Sequence, residues 1–202
     1  MDTVYYSTIA EEKTINIMVR VFHWSTVVLF ITLFVSGNRN NGPDDLHIIS
    51  GYLMISLLIS RIVWGFMGNA NALWKNYLHH PKQVLSYLSK LFSPLKPKFQ
   101  LHNPAGSNMI LAMMSVLLIT AITGLMIEAL FELDGVLLFL FNYVNETQAI
   151  FVKEVHSWMA HLMLFAIAFH LLGVLYSSYK YRVNMPLIMI TGKVIFLKKT
   201  GE

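Results

Sequence analysis

VHSWMAHLMLFAIAFH, residues 155–170, places two histidines, His156 and His170, fourteen positions apart in one long apolar segment. Ionisable side chains inside a membrane span are costly and mark functional positions. Fourteen residues of α-helix make almost four full turns, so both rings leave one face, about 21 Å apart along the axis. The hydrocarbon core of a bilayer is about 30 Å thick. One helix therefore offers one nitrogen ligand near each membrane surface. Two more histidines, His23 and His47, open two other apolar segments.

The rest of the chain agrees with a membrane setting. Of 202 residues, 55% are hydrophobic and 13% charged. Soluble domains carry about 25% charged residues. The length fits one all-α, membrane-embedded four-helix bundle, a single domain over residues 1–202. There is no cysteine, which excludes disulfides, thiolate-bound iron–sulfur clusters and covalent haem attachment. A bound haem would be of the non-covalent b type. The N-terminal MDTVYYSTIAEEK lacks the basic and apolar regions of a cleavable signal, so the first span is expected to be retained.

Four spans are expected, over about residues 19–35, 46–67, 108–130 and 155–179, each near the ~20 residues needed to cross. Between spans two and three lie Lys75, Lys82, Lys90, Lys96 and Lys98 without an acid, and the C-terminal tail adds Lys180, Arg182, Lys193, Lys198 and Lys199. The other side holds Asp44, Asp45, Glu132, Asp134, Glu146 and Glu154 against Arg39 and Lys153. Basic residues stay on the cytoplasmic side. Both termini are thus expected in the cytoplasm, with the chain in a bacterial inner membrane. The basic pI of 9.2 follows this topology and does not imply nucleic acid. Residues 81–92 read as an amphipathic helix on the cytoplasmic surface, and residues 135–151 as an outer cap or partner-docking helix. No internal repeat is evident.

This direction sorts the histidines by depth. His47 and His156 lie near the outer surface, His23 and His170 near the inner one. Each pair comes from two helices, as a six-coordinate haem iron requires, so two stacked b haems are expected with these four residues as axial ligands. His161 lies five residues after His156, about 140° round the helix, and is read as a packing or surface residue. His79 and His80 fall in the cytoplasmic loop and are read as solvated. Zinc or a binuclear metal would need clustered ligands, often with carboxylates, which these spans lack. Arg20, one turn from His23, and Arg61, near the inner end of the second span, are candidate partners for haem propionates or interface anchors. His102 and Asn103, in HNPAGSN at the entrance to the third span, offer protonatable and hydrogen-bonding groups to a quinone near the inner haem, or a polar helix cap.

As an ordered set, RVFHWSTVVLFITLFVSG, the histidine opening span two with RIVWGFMG at its end, HNPAGS, VHSWMAHLMLFAIAFH and MITGKV resemble the prokaryotic cytochrome b561 family over about residues 15–195. That family includes the b-type subunit of nickel–iron hydrogenases and is similar to the gamma subunit of formate dehydrogenase. The resemblance implies a four-helix bundle with two b haems that passes electrons between a periplasmic redox partner and membrane quinone. It places the axial ligands at His23, His47, His156 and His170, and the quinone region near His102. The short outer loops fit a multihaem c-type cytochrome as partner as well as a hydrogenase or dehydrogenase.

Three other readings stay open at this stage. One is a stand-alone quinone oxidoreductase exchanging electrons with a small molecule such as superoxide, which the acidic outer surface would repel. Another is a transporter with histidine proton relays, for which the third span offers no polar lining. The last is a haem-free anchor for a partner complex.

Overall fold

The computed structural model describes residues 6–7, 13–37, 44–68, 73–91, 103–194 and 198–199. Four of its helices are long and apolar enough to cross a membrane. They are α1 (Ile17–Gly37), α2 (Asp45–Met67), α4 (Pro104–Ile127) and α5 (Glu146–Tyr181). The short α3 (Pro81–Leu91) lies between α2 and α4, and α6 (Met185–Thr191) follows α5. The protein is an all-α helical bundle, as its apolar segments predict.

Local chemistry sets the starts. Asp44 caps α2, its side chain accepting from His47 N at 3.0 Å. Asn103 caps α4, accepting from Gly106 N at 2.7 Å, and Pro104 takes the first helical position, where no N–H is needed. The third span therefore begins four residues before its expected start. It ends in a π-helical turn, Glu128–Glu132. The fourth begins nine residues early. Asn145 and Gln148 form a reciprocal capping box that starts the helix at Glu146. The helix of 36 residues is about 54 Å long and extends past the hydrocarbon. The separate helix expected over residues 135–151 is replaced by a 3₁₀ turn, Leu138–Asn142, followed by the first turns of α5.

α1 packs mainly on α2, and α4 on α5. Met54, Leu58, Leu117 and Met163 form the buried centre, surrounded by Phe22, Leu29, Phe30, Leu33, Met113 and Ala166 among others. Met163 lies seven residues from both His156 and His170, on their face of α5. The apolar layer thus separates two histidine levels. Large apolar side chains such as Val28, Ile31, Phe165, Leu172 and Leu175 point outward, as a lipid-facing surface requires.

The amphipathic α3 forms as expected and docks on α4; its Tyr87 hydroxyl lies 3.1 Å from that of Tyr181 on α5. Two features have no counterpart in the sequence reading. One is α6. The other is a pair of two-residue antiparallel ribbons, in which β1 (Tyr6–Ser7) pairs with β4 (Lys198–Lys199) and β2 (Lys13–Thr14) with β3 (Lys193–Val194). The ribbons pair the segment before α1 with the segment after α6.

Candidate functional site

Lys75, Lys82, Lys90, Lys180 and Arg182 gather at the end of the bundle where α1 and α4 start, called here the basic end. Asp44, Asp45, Glu132, Asp134 and Glu146 lie at the other, the acidic end. Near the acidic end, the His47 and His156 rings lie edge to face with centres 6.3 Å apart and planes at 67°. Near the basic end, the His23 and His170 rings have centres 6.5 Å apart and planes at 48°. All four rings are half-buried. Two imidazoles bound to opposite sides of one transition metal put their ring centres about 6 Å apart. Both separations therefore match that of a metal centre held between two nitrogens. Among the described residues there is no cluster of three or more histidines and carboxylates able to hold a metal ion.

The acidic-end rings are fixed from behind. His47 Nδ1 lies 3.0 Å from the Leu33 carbonyl oxygen and 3.2 Å from Ser36 Oγ, both on α1. His156 Nδ1 lies 2.9 Å from the Thr120 carbonyl oxygen and 3.1 Å from Thr123 Oγ1, both on α4. A carbonyl only accepts, so each Nδ1 carries the hydrogen and each Nε2 keeps a lone pair for a metal. Glycine makes the approach possible. A Cβ at Gly37 would sit 2.7 Å from His47 Cε1, and one at Gly124 would sit 3.2 Å from His156 Cε1.

The basic end is built differently. Arg20 donates to the Ile190 carbonyl, and Trp24 Nε1 donates to the Met189 carbonyl at 3.1 Å. These are last-turn carbonyls of α6, where a cation and N–H donors satisfy the helix terminus. Gly192, with φ +81°, ends α6 against the Arg20 guanidinium. The Trp24 ring stands edge-on to His23 at 5.2 Å. Thus α6 covers the start of α1 beside the basic-end histidine pair. Arg61, only 4% exposed, has its guanidinium carbon 4.4 Å from the Trp74 ring centre and 5.5 Å from that of Tyr77. Trp74 Nε1 donates to the Ile62 carbonyl at 3.1 Å. Burial pushes the Tyr77 phenol up, while the nearby Arg61 charge pulls it down. Four buried polar atoms among the described residues have no protein partner: Arg20 Nε, His23 Nδ1, Trp64 Nε1 and Ser107 Oγ. All four belong to helix segments at the basic end. Such atoms are normally satisfied by water or a ligand.

A family model described as prokaryotic cytochrome b561 matches residues 14–192. The chain belongs to the prokaryotic cytochrome b561 family. Membership makes it a membrane cytochrome that binds b-type haem and transfers electrons across the bilayer. No curated protein matches the chain in sequence.

Within this b561 chain, the other expected residues fall as follows. His161 is exposed and bonds the Ser157 carbonyl of its own helix at 2.8 Å, edge-on to Phe34. It faces neither pair. His79 bonds the Tyr77 carbonyl at 3.2 Å, and His80 is exposed. Asn103 caps α4, while His102 lies outside the described residues. The sequence reading missed the supporting roles of Ser36, Gly37 and Thr123. Their signal is a hydroxyl residue followed by glycine near the acidic end of each ascending span.

Proposed function

We propose that the protein carries electrons across the bacterial inner membrane through two b haems, between a periplasmic redox partner and the quinone pool. His47 and His156 are the axial ligands of the outer haem, His23 and His170 those of the inner one. The observation that carries this reading is the pairing of four histidines at two levels, 6.3 and 6.5 Å between ring centres, on either side of an apolar layer. Haem, when bound, supplies a one-electron couple at each level. Two nitrogens per centre leave no open iron position, which favours electron transfer over oxygen chemistry.

The chain's own residues do the rest. Met54, Leu58, Leu117 and Met163 keep the layer between the levels dry. Arg20 and Arg61 are the cations nearest the basic end of their spans, suited to haem carboxylates. The partnerless Arg20 Nε supports a polar ligand group there. Ser107 Oγ, partnerless and only 2% exposed, lies one turn beyond Asn103. That placement supports a quinone oxygen at the entrance to α4, served by His102 and Asn103. The basic end is cytoplasmic by its lysines, with both termini on that side. The acidic end then presents a surface to a hydrogenase, a dehydrogenase or a multihaem c-type cytochrome.

The test uses vesicles that hold the purified protein and enclose ferricyanide, with a water-soluble quinol added outside. Bleaching of the enclosed ferricyanide is expected with the unaltered protein and is expected to vanish with His156→Ala. Equal bleaching by both would reject electron passage through the pair. Unchanged haem reduction by quinol after joint substitution of His102 and Asn103 would reject the quinone site.

A further inference from the structure

The cradle behind His47 occurs twice. In α1, residues 33–37 read LFVSG; in α4, residues 120–124 read TAITG. In each, the hydroxyl donates backwards to a helix carbonyl. Ser36 Oγ lies 2.7 Å from the Thr32 oxygen, and Thr123 Oγ1 lies 2.9 Å from the Ile119 oxygen. With its hydrogen used there, each hydroxyl can only accept from the imidazole. In each, the carbonyl three residues earlier, Leu33 or Thr120, accepts from the same Nδ1. In each, the following glycine leaves the ring its space. The histidine always comes from the next membrane-spanning helix, His47 from α2 and His156 from α5. The α1–α2 and α4–α5 hairpins thus carry the same five-residue device. At the basic end His23 Nδ1 has no protein partner.

We propose that Ser36–Gly37 and Thr123–Gly124 are a duplicated positioning device that makes the acidic-end centre the lower-potential member of the two. This rests on the reading of the four histidines as axial ligands. A ligating imidazole that gives its Nδ1 hydrogen to a carbonyl and a hydroxyl becomes a more basic donor. A more basic donor favours the oxidised metal, and hydrogen bonding around the ligands is one of the levers that set a haem potential. Both acidic-end ligands carry this arrangement. Behind His23 no protein group among the described residues accepts from Nδ1, so the protein builds no such cradle for that ring. Electrons then run downhill from the acidic end to the basic end, which places the donor at the acidic surface and the acceptor at the cytoplasmic one.

Redox titration of the purified cytochrome, followed at the haem absorption band, tests this. Two waves are expected. In the Ser36→Ala, Thr123→Val double variant the lower wave should move upward while the higher one stays. Ser36→Thr with Thr123→Ser, which keeps both hydroxyls, should leave both waves in place. If the double variant loses haem, each single variant is titrated instead and should move the lower wave alone. Movement of the higher wave, movement of both, or no movement would overturn the inference and leave the ligand assignment standing. Fewer than two haems in the unaltered protein would instead overturn the ligand assignment.

Discussion

Alanine at Gly37 and alanine at Gly124 make an unequal pair of perturbations at one site. Carbon atoms in contact prefer separations of about 3.5–4.0 Å. A Cβ at Gly37 would lie 2.7 Å from His47 Cε1, so the ring must retreat by about 0.8 Å or more. At Gly124 the separation is 3.2 Å, and a retreat of about 0.3 Å suffices. Metal–ligand distances tolerate about 0.2 Å. Gly37→Ala therefore breaks the His47 position, whereas Gly124→Ala strains the His156 position near the limit of tolerance. Overpacking of this kind costs about 1–3 kcal/mol, and helix propensity returns at most about 1 kcal/mol for replacing glycine. The assay is haem content per chain, from the absorption of the pyridine adduct. Gly37→Ala is expected to retain only the inner haem, and Gly124→Ala to retain both with weaker hold on the outer one. Full haem content with an unchanged reduced spectrum in Gly37→Ala would refute the reasoning.

Four more outcomes follow from the same geometry. His156→Ala should remove one haem and His170→Ala the other, read from the reduced α band; two haems left in both would show the ligands lie elsewhere. Met163→Ala opens a void in the layer between the histidine levels and should lower stability by about 2–5 kcal/mol in a thermal melt, with an unshifted midpoint counting against that packing. Arg20→Ala with Trp24→Phe removes both side-chain bonds from α1 to α6, so cleavage after Lys193 by added trypsin should accelerate; equal cleavage would mean α6 is held by other contacts. The Tyr87 phenol is pushed up by burial and by its bond to Tyr181, so its neutral form favours the folded state. That contribution is fully present below its ordinary value of 10.0 and is lost as pH rises past the folded value. Unfolding of the unaltered protein should therefore steepen at high pH relative to Tyr87→Phe.

The histidine levels were legible because lipid makes an imidazole expensive. Four such residues at two depths stand out against runs of Leu, Ile, Phe and Met. The span boundaries were legible within two residues where Gly37 or Met67 ended an apolar run. They shifted where polar caps continued the helix outside the lipid, as Asn145 does for α5. The α6 cover was not legible, since Arg20 and Trp24 reach backbone carbonyls, and any sequence provides those. The Ser36–Gly37 and Thr123–Gly124 cradles escaped for another reason. Two-residue steps are common in membrane helices, and only the placement of the neighbouring imidazoles separates these two from ordinary helix packing.

The most direct measurement is the number and kind of haems in the purified chain. Reduction with dithionite should give a sharp low-spin b-type α band with two haems per chain; the reduced protein should bind no added carbon monoxide and the oxidised protein no added cyanide. One haem, none, or a high-spin spectrum that shifts on adding either ligand would contradict the pairing of His47 with His156 and of His23 with His170.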